Sequence, residues 1–135
     1  MDEDTTRKTA ESRADRERLS LKFQRELNAG LVGLVLLAVL DRAGEDLYGY
    51  QIAKRLQAFA DGSPPVKQGA LYPVLRQLAA NGLLASRIVP SYAGPPRRYY
   101  RITGAGREMI MEWRGIWRNT RDFVDGFTDA NGASS

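Results

Sequence analysis

Residues 67–103 read Lys67-Gln-Gly-Ala-Leu-Tyr-Pro-Val-Leu-Arg-Gln-Leu-Ala-Ala-Asn-Gly82, then Leu83-Leu-Ala-Ser-Arg-Ile-Val-Pro-Ser-Tyr-Ala-Gly-Pro-Pro-Arg-Arg-Tyr-Tyr-Arg-Ile-Thr103. In the first half, Leu71, Val74, Leu75 and Leu78 recur at helical spacing and predict a helix over 67–80 that closes at Asn81-Gly82. Gln68, Tyr72 and Arg76, at steps of four, form the opposite stripe of that helix. Pro73 is costly there unless it lies near the first turn, where a lost amide matters less. The second half predicts two strands, about 84–89 and 97–102, joined by Pro90-Ser-Tyr-Ala-Gly-Pro-Pro96. From Gly62 through Arg107 there is no acidic residue, while seven bases give the segment a formal charge of +7. A one-signed helix followed by a basic hairpin suits a polyanion with a groove, and duplex DNA is the expected partner.

Upstream, Leu31 to Leu40 is an apolar run of ten residues. A buried strand is one reading of such a run, but Glu26, Leu27 and Ala29 lead into it without a turn and Gly44 stands where a helix C-cap belongs. The expectation is therefore a helix, apolar all round and so buried all round, with one face for its own domain and another for a partner subunit. Asp46 is the expected N-cap of a second helix over 47–60, with Ile52, Leu56 and Phe59 facing inward, stopped by Asp61-Gly-Ser-Pro-Pro. Downstream, Thr103 is the expected N-cap of a last helix over 104–127. Residues 1–17 alternate charge without an apolar face and are expected to be a disordered arm or at most a solvated helical extension. The division is thus a charged arm (1–17), a DNA-binding domain (18–103), a dimerisation helix (104–128) and a disordered tail (129–135).

The bulk composition excludes several classes of function. There is no Cys and no His, which removes disulfides, thiolate sites and His- or Cys-dependent catalysis. No Asp/Glu cluster has ligand spacing, so neither an enzyme nor a bound metal or cofactor is expected. The charged N-terminus lacks an apolar signal core, and ten apolar residues fall short of the roughly 20 that span a bilayer. A soluble cytoplasmic protein without a membrane partner is the expectation.

Three helices followed by a two-stranded wing describe a winged helix-turn-helix: a mainly α fold with a β-hairpin, here extended by a C-terminal dimerisation helix. In that arrangement Lys67, Gln68, Tyr72 and Arg76 are presented to the major groove, Gln and Arg suited to base edges and Lys or Tyr to phosphates. Gly69 lets the backbone come close to the duplex, and the helix start near Tyr48 offers amides to a phosphate. Arg97 and Arg98 stand on the returning strand, Tyr92 at the tip, and one of Tyr99 and Tyr100 belongs to the core. The bland alternative is a hairpin whose charges merely face solvent; the missing acids weigh against it.

The segments Leu47-Tyr-Gly-Tyr-Gln-Ile, Gly69-Ala-Leu-Tyr-Pro-Val-Leu, Asn81-Gly-Leu-Leu, Gly94-Pro-Pro-Arg-Arg-Tyr-Tyr-Arg-Ile-Thr and Gly106-Arg closely resemble the PadR family of bacterial transcriptional regulators. The order and spacing match over about residues 27–127. The resemblance implies a homodimeric winged-helix repressor on a near-palindromic operator, released by a small-molecule effector. One helix after the wing is similar to the short-tailed subfamily that includes multidrug-sensing repressors. The charged arm departs from that pattern.

In the last helix Met109, Trp113, Ile116, Thr120, Phe123 and Phe127 follow a 4-3-4-3-4 spacing, a heptad-type seam for a partner helix. Leu31 and Leu34 of the apolar run are expected to supply the rest of the dimer interface. Trp113 and Trp117 share a face, either as interface packing or as an indole platform for a flat aromatic effector. Trp117 matches a tryptophan that lines the drug-binding pore of the similar multidrug regulators. Two other readings remain open: a winged-helix protein-interaction module that no longer reads DNA, and an RNA binder using Tyr72, Tyr99 and Tyr100 to stack on bases.

Overall fold

The computed structural model describes residues 3–59 and 68–129. In order, the elements are α1 (Glu3–Ala43), β1 (Leu47–Tyr48), α2 (Gly49–Phe59), α3 (Gln68–Ala80), β2 (Leu84–Val89), β3 (Arg97–Ile102) and α4 (Gly104–Thr128). The chain divides into two compact units, Met1–Val32 and Gly33–Ser135, with α1 running through both.

The first unit is helical from Glu3, so of the two forms expected for the arm it takes that of a solvated helical extension. Residues 6–27 are all exposed. Its polar links are local: Arg18–Asp15 at 3.6 Å, Lys22–Glu26 at 4.0 Å, and a Gln24–Asn28 hydrogen bond of 2.8 Å. Such exposed pairs one turn apart stabilise a helix by a few tenths of a kcal/mol each.

The second unit is built around Leu36, Leu37 and Leu40 of α1, Ile52 and Leu56 of α2, Leu71, Leu75 and Leu78 of α3, and Ile110 of α4, all buried. Against them the sheet presents Leu47, Leu84, Tyr100 and Ile102. Each fully buried Leu or Ile contributes about 1.5–3 kcal/mol by removal from water. By length and composition α1 is also apolar enough to cross a membrane. Within it Leu36, Leu37 and Leu40 are at most 1% exposed and belong to the core of the second unit.

The sheet has three strands, not two, in antiparallel order β1-β3-β2. Residues 47–48, expected to begin a helix, pair with β3 as Leu47↔Tyr100 and Tyr48↔Tyr99. Asp46 accordingly does not cap α2; its carboxylate accepts a 2.8 Å bond from Arg87 Nε. The Gln51 side chain does the capping, its Oε1 accepting from the Tyr48 amide at 3.1 Å, which is half of a capping box.

The chain reversals follow from local chemistry. Gly44 at φ +65° ends α1, as expected. Gly82 at φ +78° ends α3 in a Schellman motif: the Leu83 amide donates to the Leu78 carbonyl and the Gly82 amide to that of Ala79, both at 3.0 Å. Thr103 caps α4, its Oγ1 accepting from the Gly106 amide at 3.0 Å and lying 2.7 Å from the Gly82 carbonyl oxygen, to which it donates. A Cβ on Gly106 would strike the Leu83 carbonyl oxygen and sit 2.7 Å from Ile102 Cγ1, so only glycine lets α4 meet the sheet this closely.

Candidate nucleic-acid interface

Strand pleating sorts the wing's side chains between two faces. Leu84, Tyr100 and Ile102 point into the core, and Arg98 shares their face, its Nη1 donating to Ser86 Oγ across the pair at 3.2 Å. Burial raises the Tyr100 phenol above its ordinary pKa, while the nearby Arg98 and Arg76 guanidiniums oppose the rise.

The other face carries Arg97, Tyr99, Arg101 and Arg87. Here rings and cations alternate. The Arg97 guanidinium lies 4.5 Å from the Tyr48 ring centroid, and Tyr48 meets Tyr99 edge-on at 5.3 Å. Arg87 sits 5.3 Å from the Tyr99 ring while its Nε bonds Asp46. Tyr50 stacks on Tyr48 at 6.4 Å, and Lys54 lies 5.2 Å from the Tyr50 ring. The pair Arg97-Arg98 is therefore split: one side chain joins the aromatic ladder and the other faces α3.

On α3, Leu71, Leu75 and Leu78 are buried and Gly69, Tyr72, Pro73, Arg76 and Gln77 are exposed. Pro73 stands in the second turn on the exposed side, where it removes the amide that would donate to the Gly69 carbonyl. Nothing lies within 4 Å of a Cβ built on Gly69, consistent with an open backbone there. Tyr72 is only partly a free reader: a Cβ on Gly49 would lie 2.8 Å from its hydroxyl oxygen, so the ring packs over the first residue of α2. Tyr92 is fully exposed at the wing tip. Lys67 lies outside the described residues, as do the Gln68 side chain, the Asp61–Pro65 loop and the tail beyond Asp129.

Sequence reasoning missed Tyr50, Lys54, Arg87 and Arg101. Arg87 and Arg101 were legible as part of the acid-free run, but their face was not. Tyr50 and Lys54 lie outside that run, and only the β1–β3 register brings them beside the wing.

Of the expected dimer residues, Ile116, Thr120, Phe123 and Phe127 are exposed, and Leu31, Leu34, Met109 and Trp113 are half-buried. The Phe123 and Phe127 rings lie 5.0 Å apart. Trp113 Cζ3 stands 3.5 Å from a Cβ built on Gly33, so its indole packs on α1; Trp117 is half-buried. Among the described residues no three His, Cys, Asp or Glu side chains form a group able to hold a metal.

Known proteins share this architecture. Residues 36–112 match the transcriptional regulator PadR-like family. A PadR family transcriptional regulator from Eggerthella lenta is 30% identical, with a TM-score of 0.70 over 87% of this chain and 98% of that one. A transcriptional regulator from Clostridium thermocellum is 27% identical, with a TM-score of 0.68 over 76% of this chain and 98% of that one. The fold is also that of Bacillus subtilis PadR, solved in complex with operator DNA: 20% identity and a TM-score of 0.55 over 62% of this chain and 46% of that one. With its winged helix, its wing motifs and more than half its length matched, this chain belongs to the PadR-like family of transcriptional regulators.

Proposed function

We propose that the protein is a cytoplasmic, homodimeric repressor that reads a near-palindromic operator and is released by a small hydrophobic or aromatic effector. The carrying observation is a basic wing, with Arg97 and Arg98 on opposite faces of β3, together with an exposed Arg76 on α3, in a stretch that holds no acidic residue from Gly62 through Arg107. A helix and a wing that both carry cations suit a major groove and its flanking phosphates. The relative solved on operator DNA supports the same partner. Gln68 and Arg76 are assigned to base edges, and Lys67, Tyr72, Tyr92, Arg97 and Arg98 to phosphates. Gly69 and the α2 start at Tyr48 give close approach.

The dimer reading rests on α4. Past Trp113 none of its residues is buried, and Ile116, Phe123 and Phe127 are 58%, 67% and 80% exposed. An apolar seam of this kind is costly in a monomer and fits a partner helix. Two copies place two reading heads on one face of the duplex, so the operator mirrors the two-fold axis. Trp113, a member of that seam, and Trp117, four residues on, are assigned to an aromatic effector bound between subunits, which would change the separation of the heads.

The test is binding to the duplex just upstream of the protein's own gene against a random duplex, across a salt series. Preference for the upstream fragment with a steep salt dependence is expected. Equal, weak binding to both by a folded dimer would overturn the operator reading.

A further inference from the structure

On the sheet face opposite Arg98, aromatic rings join α2 to the wing. The Lys54 ammonium of α2 lies 5.2 Å from the Tyr50 ring, and Tyr50 stacks on Tyr48 of β1 at 6.4 Å. The Arg97 guanidinium of β3 lies 4.5 Å from the other end of that stack, the Tyr48 ring. Arg101 follows on the same face of β3, beyond Tyr99. Charge pairing separates the cations of this region. Arg87 is held by Asp46 at 2.8 Å and Arg55 by Glu45 at 3.2 Å, so those two are offset. Among the described residues Lys54, Arg97 and Arg101 pair with no carboxylate, and all three are exposed. A ring orients a cation without cancelling its charge. Arg97 and Arg101, four residues apart on a strand, stand about 13 Å from each other. That is too far to clamp one small anion and suits successive charges along a polymer.

We propose that Lys54 and Arg101 extend the DNA interface as a strip that holds the phosphate backbone outside the bases read by α3. The inference rests on the operator reading above and adds two residues which that reading leaves without a role. The strip passes through Tyr48 and Arg97, already assigned to phosphates, so it continues a surface instead of starting a separate one. It occupies the wing face turned away from Arg98, and therefore meets the backbone that flanks the half-site. Contacts of this kind position the protein and carry no sequence information.

Salt-series binding of the full chain to the duplex upstream of its own gene and to a random duplex tests this. Lys54→Gln and Arg101→Gln should each lower the salt slope by about one on both duplexes. The affinity lost between 50 and 200 mM salt should then shrink about 3.5-fold per residue. The ratio of affinities for the two duplexes should not change. Hydroxyl-radical protection of the upstream fragment should recede at its outer edges in the double variant. Lys54→Arg and Arg101→Lys keep the charge and should keep the parent slope. A parent-like slope for either Gln variant would break the strip and overturn the proposal, leaving that face to an acidic protein surface. Losses confined to the upstream fragment would overturn it by making the two residues base readers. Equal losses in the charge-keeping variants would overturn it by pointing to the fold. A parent chain that binds neither duplex would refute the DNA reading itself and the strip with it, so the parent alone tells the two failures apart.

Discussion

Arg97 and Tyr48, nearly fifty residues apart in sequence, are joined face to cation: the guanidinium lies 4.5 Å from the ring centroid, on the wing face opposite Arg98. Exposed cation–π contacts contribute about 0.5–1 kcal/mol. The contact steers the wing cation toward the start of α2 and ties β3 to the strand before that helix. We expect Arg97→Ala and Tyr48→Ala to be non-additive, with a coupling of about 0.5–1 kcal/mol in unfolding free energy. For DNA, Arg97→Ala and Arg98→Ala should each lower the salt slope by about one if each meets a phosphate. A slope that drops for Arg98 alone would restrict the proposed phosphate contact to the α3 face of the wing.

At Gly49 the Tyr72 ring of α3 occupies the space that a Cβ on the first residue of α2 would take. Gly49→Ala forces the ring aside, a local overpacking that should cost about 1–2 kcal/mol. Adding Tyr72→Ala should restore stability but not DNA affinity, because the phenol assigned to a phosphate is gone. Thermal unfolding of the three variants checks this. An unchanged melting temperature for Gly49→Ala would mean that the ring moves freely and is not a brace.

Much of this was legible because apolar spacing and turn chemistry act locally. Leu71, Leu75 and Leu78 set the α3 face, Gly82 its end, Thr103 the start of α4, and both wing strands fell on their expected residues. What was not legible depends on distant partners. Leu47-Tyr48 is too short to show strand periodicity and becomes a strand only because β3 offers an edge. Asp46 looked like a cap, yet a guanidinium 41 residues away outcompetes the α2 amides for it. The arm carries no apolar face, but charge pairs one turn apart in the first unit are compatible with a helix. Adjacent Arg97 and Arg98 read as one patch, and the pleat separates them.

Thr103 joins two jobs in one hydroxyl, capping α4 and holding the end of the α3–β2 turn through the Gly82 carbonyl. Thr103→Ala loses both and should cost about 1–2 kcal/mol. Thr103→Ser keeps the oxygen and should recover most of it. Chemical denaturation distinguishes the two, and equal losses would point to the Thr methyl instead of the hydroxyl.

Arg76 is an exposed cation on α3, assigned under the proposed function to a base edge. Arg76→Ala should reduce discrimination between operator and random duplex by about 1–3 kcal/mol, the value of a lost bidentate contact. Competition binding at fixed salt measures it. Equal loss on both duplexes would move Arg76 from base reading to phosphate binding.

The seam of α4 gives the sharpest separation of stability from assembly. Phe123 and Phe127 are 67% and 80% exposed, and the helix holds its only buried described residues, Gly106 and Ile110, in its first two turns. A charge on the distal half therefore leaves the core of the winged helix untouched while burying an unpaired carboxylate in any helix-to-helix contact there. Phe123→Asp should keep the melting transition of the domain near that of the parent at low protein concentration but halve the mass seen by sedimentation. Operator affinity should fall by at least tenfold, since a monomer engages one half-site and forfeits the gain of a linked second contact. Trp117→Ala, nearer the domain, should weaken the dimer less. A Phe123→Asp chain that remains dimeric would move the interface off this seam and leave α1 to supply it.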